Sequence, residues 1–174
     1  MAESSADLIK RYLADAIAAE KNCETQLHRF AKEQSLVAVA ELFERQAIET
    51  KRQYERLAER LHSLGGSAQT TKAFLEHILG FGSKPGGYQR GENATQNLAS
   101  AYTAANTEIA MYESLATMAE AAGDAETVDF VRGIQSEKQA AAQKIWKLLA
   151  LAAREAYQRG VVRRSNSRSA GAPA

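Results

Sequence analysis

Chain-breaking residues are scarce in this sequence and bunched in a few places. Among 174 residues, proline occurs only at Pro85 and Pro173. Glycine is paired at Gly65 and Gly66, crowds between Gly80 and Gly91, and is otherwise single at Gly123, Gly133, Gly160 and Gly171. Proline and glycine are the strongest local terminators of regular structure, so long uninterrupted elements must lie between them. The intervening stretches are rich in Ala, Leu, Glu, Lys, Arg and Gln, the good helix formers. None shows sustained alternation of apolar and polar residues, which a half-buried strand requires. The expected chain is all-α.

Four long helices follow from the breakers, over about 4–32, 35–64, 93–122 and 124–158. Ser4 or Ser5 can cap the first helix, with Asp7 in its first turn. Gly65 and Gly123 are placed to end the second and third. Helices 1 and 2 are nearly contiguous, as are helices 3 and 4, so each pair should form an antiparallel hairpin. The crossover over 65–92 is far longer and carries one short helical stretch, Thr71 to Leu79. It is long enough to run the length of a bundle and start helix 3 parallel to helix 2. Two hairpins joined in this way have ferritin-like four-helix connectivity.

Residues 1–159 form that bundle, and 160–174 are expected to be a disordered basic tail, because GVVRRSNSRSAGAPA has three arginines, no acid and too few apolar residues to bury. Such a tail could touch nucleic acid weakly. The body gives no such reason, since residues 1–158 hold 18 basic against 21 acidic residues. A net charge of +1 excludes a global electrostatic attraction for nucleic acid. One cysteine, Cys23, cannot form an internal disulfide. No segment is apolar enough to span a membrane, and the N-terminus has no basic-then-apolar leader pattern. The expectation is a cytoplasmic protein.

The chemistry lies in glutamates at core positions. Helix 1 read at three-and-four spacing gives Ile9, Leu13, Ala16, Glu20, Cys23, Leu27 and Phe30. Helix 3 gives Leu98, Ala101, Ala105, Glu108, Tyr112, Leu115 and Ala119. Helix 4 gives Phe130, Ile134, Glu137, Ala141, Ile145 and Leu148. Each apolar stripe is interrupted near its middle by a glutamate. In helix 2 the stripe Leu36, Ala40, Phe43, Ala47, Thr50, Tyr54, Leu57 and Leu61 has Glu49 at its edge. Unpaired carboxylates in an apolar interior are costly and repel one another. Four of them at mid-helix depth need protons, cations or metal ions, and hard oxygen ligands suit iron, manganese or magnesium. The alternative is that these glutamates fall at core phase by chance, since many others must lie on the surface.

Four segments carry a family resemblance: IAAEKNCETQL, AIETKRQYERLAERLHSLGG, EIAMYESLATMAEAAGD and SEKQAAAQKI. Over about residues 5–150 the chain resembles the ferritin-like YciE/YciF proteins. The resemblance implies a homodimeric bundle with a carboxylate-bridged dimetal site, di-iron or di-manganese, and a link to stress responses. It implies lone ligands at Glu20 and Glu108, and Glu-x-x-His glutamates at Glu49 and Glu137. The chain departs from that pattern, because the histidine slots hold Arg52 and Ala140, neither of which can ligate. Gln46 and Gln53 could lend weak amide oxygens. Arg52 could replace the metal by neutralising the carboxylates with its guanidinium.

Two readings follow. In the first, Glu20, Glu49, Glu108 and Glu137 bind one or two divalent metals in an oxygen- or peroxide-linked redox protein. In the second, the bundle is metal-free and acts through its surface as a dimeric stress-response or interaction protein. His28, His62 and His77 are expected to be surface or packing residues. Leu8, Val37 and Val39 are expected to be exposed apolar residues that favour self-association.

Overall fold

A computed structural model describes residues 4–67 and 93–169. Four helices account for nearly all of them: α1 (Ser5–Lys32), α2 (Val37–Ser63), α3 (Asn93–Ala121) and α4 (Ala125–Ser169). Their boundaries are set by local chemistry. Ser4 has extended backbone and its Oγ accepts from the Asp7 amide at 3.1 Å, capping α1. Asp124 caps α4, accepting from the Thr127 amide at 3.0 Å and the Thr127 hydroxyl at 2.6 Å. Gly65 and Gly123 end α2 and α3 in the left-handed region, at φ 73° and 74°. Past Gly123 the chain closes back with the Asp124 amide on the Ala119 carbonyl at 2.9 Å.

Cross-bundle bonds establish the topology. Asn97, in the first turns of α3, donates to Glu33 at the α1–α2 joint, 3.0 Å away. Arg60, near the end of α2, donates to Asp124 at 2.7 Å and Thr127 at 2.9 Å, at the α3–α4 joint. Both α2 and α3 therefore run from the α1–α2 joint to the opposite end, and are parallel. The most extensive packing is within the hairpins α1–α2 and α3–α4, with α1–α3 and α2–α4 closing the bundle. This is a ferritin-like four-helix bundle, and among the described residues there is no strand. The expected short helix over Thr71 to Leu79 and most of the 65–92 crossover lie outside the described residues.

The interior is layered. One apolar cluster holds Ile9, Leu13, Ile17, Leu57, Leu61, Leu115, Val131 and Ile134. The other holds Leu27, Phe30, Val39, Leu42, Phe43, Leu98 and Ile145, with the Phe30 and Phe43 rings 5.6 Å apart. Each large side chain so buried contributes about 1.5–3 kcal/mol, so the two ends supply the stability. Between them lies a layer of buried polar side chains that includes Glu20, Thr50, Glu108 and Lys138.

Two boundaries differ from the sequence expectation. α4 does not stop near Gln158 but continues through Gly160 to Ser169, so most of the segment expected to be a disordered tail is helical here. A single glycine costs an established helix only about 1 kcal/mol. Val39 is not a surface residue: it is 0% exposed, inside the second cluster, and Leu8 is only partly exposed, whereas Val37 is 71% exposed.

Candidate functional site

The middle layer takes a charged side chain from each of α1, α3 and α4, with Tyr112 from α3 and support from α2. Glu20 on α1 is 0% exposed and Glu108 on α3 is 5% exposed. Between them lies the ammonium of Lys138 on α4, 3% exposed. Its Nζ is 2.6 Å from Glu20 Oε2 and 2.9 Å from Glu108 Oε2. It also donates to Thr50 Oγ1 on α2 at 3.4 Å. Tyr112, one turn after Glu108, donates its hydroxyl to Glu20 Oε1 at 2.5 Å. Every helix thus contributes a polar atom to one buried cluster.

The charges respond to this enclosure. Burial, then the neighbouring Glu108 carboxylate, pushes Glu20 up to about 7, against the opposing pull of Lys138 and Tyr112. Burial opposes the charge on Lys138, but Glu108 and Glu20 outweigh it and hold the ammonium well above its ordinary value. Burial and the same carboxylates push the Tyr112 hydroxyl and the Cys23 thiol well up. Cys23, one turn from Glu20, is therefore a thiol rather than a reactive thiolate.

The structure brings together two of the four glutamates singled out in the sequence. Glu20 and Glu108 meet, with Lys138 between them. Glu49 and Glu137 face outward. The Glu49 side chain is 45% exposed, accepts from Gln46 at 3.1 Å and is 3.9 Å from Lys144. The Glu137 side chain is 44% exposed and accepts from Gln53 at 3.0 Å and Arg56 at 2.8 Å. Burial alone would raise the Glu137 carboxyl, but the bonds from Gln53 and Arg56 hold it low.

Arg52 is exposed and brings no charge to the centre. The cation there is Lys138, which the sequence reading missed. Two steps connect Ile134 to Ala141, through 137 or through 138, and both are allowed at three-and-four spacing. The structure follows the second step, burying the line Val131, Ile134, Lys138 and Ala141. His28 Nδ1 lies 3.0 Å from Glu44 on the surface and His62 is exposed, while His77 lies outside the described residues.

A ferritin-like dimetal group takes a glutamate from each of two helices and Glu-x-x-His from each of the other two. Glu20 and Glu108 meet the first requirement. The inward positions three apart on α2 are Thr50 and Gln53, and on α4 they are Lys138 and Ala141. An ammonium has no lone pair to give a metal, and this one already sits on the two carboxylates. The donor set does not fit a dimetal group. Among the described residues, no group of three or more His, Cys, Asp or Glu side chains gathers in a way that could hold a metal ion.

A shallow cleft between α1 and α3 reaches this layer from outside. Ala19, Cys23, Ala101, Ala104 and Thr107 line it, and Glu108 lies at its inner end. Among the described residues, no helix is long and apolar enough to cross a membrane.

Solved structures share this architecture. A Xanthomonas campestris protein matches with a TM-score of 0.76 at 23% identity, covering 90% of this chain and 99% of that one. The Escherichia coli stress protein YciF matches with a TM-score of 0.76 at 22% identity, covering 88% of this chain and 99% of that one. A ferritin-like, diiron-carboxylate protein of Bacillus anthracis matches with a TM-score of 0.68 at 17% identity, covering 85% and 99%. No curated protein sequence matches. The YciF likeness agrees with the resemblance carried by the four sequence segments. With a family model matching residues 4–158, the chain belongs to the family described as Domain of unknown function (DUF892).

Proposed function

We propose that this protein is a metal-independent ferritin-like bundle that serves a stress-related role through its surface, as a homodimeric structural or interaction protein rather than as an iron- or manganese-dependent oxidoreductase. The observation that carries this reading is the Lys138 ammonium, 2.6 and 2.9 Å from the only two sequence-selected glutamates that are buried. A fixed internal cation satisfies the carboxylates without a metal. The stress connection is supported by the likeness to the E. coli stress protein YciF.

Protein purified without chelator is expected to contain far less than one equivalent of iron or manganese, and anaerobic titration with ferrous or manganous ion should give no saturable heat. Stoichiometric binding that is lost in Glu20→Gln would overturn this reading. It would restore the rival, in which Glu20, Glu49, Glu108 and Glu137 hold one or two divalent ions.

Self-association is supported by the outer face of α4. Trp146 is 59% exposed, Tyr157 74%, Leu151 47% and Val161 48%. Trp146, Ala150, Ala153 and Tyr157 recur at spacings of four, three and four, on one helical face. This order of large, small, small, large is symmetric about its midpoint. An antiparallel two-fold pairing of α4 with its copy therefore sets Trp146 beside the partner's Tyr157 and alanine against alanine. Tyr102 on α3 braces Trp146, with ring centroids 5.2 Å apart. Light scattering at micromolar concentration should give a dimeric mass, and Trp146→Glu should shift it toward the monomer, since large aromatic residues dominate such contacts. A monomeric wild type would refute the dimer, and a dimer unaffected by Trp146→Glu would place its interface elsewhere.

A further inference from the structure

We infer that Lys138 stands in the place of the metal of a two-metal carboxylate site, so that removing its ammonium and supplying a carboxylate there opens a divalent-cation site at Glu20 and Glu108. The inference rests on the metal-independent reading above and goes beyond it, because it assigns what the centre becomes without its internal cation.

Three observations support it. The first is register. The buried positions 20, 50, 53, 108, 138 and 141 repeat the ligand frame of a ferritin-like dimetal site, with single positions on α1 and α3 and pairs three apart on α2 and α4. The chain keeps carboxylates at positions 20 and 108 and a positive charge at 138. The second is an orphaned acceptor. Gln53 uses its amide NH2 on Glu137, and its Oε1 is buried with no hydrogen-bond partner. A buried carbonyl oxygen without a donor is costly and is a neutral ligand for a hard cation. The third is access, since the cleft between α1 and α3 ends at Glu108.

Lys138→Glu reverses the sign of the central charge. Three carboxylates then face one another in a buried layer, where they cannot all ionise without a cation. A divalent ion of the hard or borderline class satisfies them, with the Thr50 hydroxyl as a neutral oxygen nearby. Cobaltous ion is a suitable probe, because its visible absorption reports coordination directly and needs no enzymatic activity.

Wild type, Lys138→Glu and the double variant Lys138→Glu/Glu20→Gln should be titrated with cobaltous ion and followed by absorption and calorimetry. Lys138→Glu is expected to bind on the order of a hundredfold tighter than wild type. The double variant should lose roughly tenfold or more of that gain. If Lys138→Glu unfolds without metal, Lys138→Gln removes the charge at similar length, and its melting temperature should rise with millimolar manganous ion while that of wild type does not. A folded Lys138→Glu or Lys138→Gln that binds no better than a metal-free wild type overturns this inference and leaves the metal-independent reading standing. Tight binding by wild type itself overturns that reading, and with it the assignment of Lys138.

Discussion

Replacing Lys138 by Met is expected to destabilise the protein by about 3–5 kcal/mol near neutral pH, the usual consequence of removing one partner from a buried ion cluster. Methionine matches lysine in length and can fill the same space, so packing loss is small and the charge effect dominates. Glu20 and Glu108 would then share a buried layer with the Tyr112 hydroxyl, Thr50 and the Cys23 thiol as polar neighbours. Both carboxylates would take up protons, so the loss should shrink markedly at about pH 5, where protonation costs less. Lys138→Met/Glu20→Leu/Glu108→Leu, which removes all three charges together, should recover most of the loss or exceed wild type, because desolvating ions costs more than burying apolar groups of like volume. Urea unfolding of the single and triple variants at two pH values checks this. A loss below about 1 kcal/mol in the single variant, the range of surface ion pairs, would mean that the ammonium is not what holds the layer together.

The second large effect is the pH dependence of the wild type. Glu20 titrates at about 7 in the folded chain against an ordinary 4.5, because burial and then Glu108 disfavour its charge more than Lys138 and Tyr112 favour it. A carboxyl raised by folding retains a proton that the unfolded chain has released, so stability falls as pH rises between these two values. The contribution is fully present below about pH 4.5 and lost above about pH 7, and amounts to about 3 kcal/mol over that interval. Carboxyls that folding lowers act in the other direction and in a more acidic window. Glu113, held down to about 2 by its bonds from Arg132 and Gln135, is one. Asp124 is another: burial alone would raise it, but bonds from Thr127 and Arg60 outweigh burial. The difference in stability between wild type and Glu20→Gln isolates the Glu20 contribution. Measured by denaturant unfolding, it should change by about 3 kcal/mol across the interval. A difference independent of pH would show that Glu20 titrates normally.

The two effects share one physical cause. The apolar clusters at either end of the bundle bury the layer between them, and a charge there depends chiefly on its neighbours. The network resists change at any single member, because altering one group leaves the others unpaired. It also explains how two glutamates can remain buried without a metal.

Much of the bundle follows from local sequence chemistry. Gly65, Gly123, Ser4 and Asp124 set helix ends by backbone freedom and side-chain caps, which act within four residues and need no tertiary information. The stripes on α1 and α3 are legible for the same reason: Ile9 to Phe30 and Leu98 to Ala119 each have one apolar line, and the structure buries nearly all of it. Glu20 and Glu108 are therefore identifiable as interior residues from spacing alone. Spacing does not decide α4. Glu137 and Lys138 are adjacent charged residues, and a three-residue or a four-residue step reaches either from Ile134. Only packing against α3 and α2 selects the rotation of α4 that turns Lys138 inward and leaves Glu137 to Gln53 and Arg56. α2 is decided in the same way, with Thr50 and Gln53 inside and Glu49 and Arg52 outside. The sequence alone determined that buried carboxylates need protons, cations or metal ions. The rotation of two helices, fixed by what lies across the core from them, decided that Lys138 supplies it.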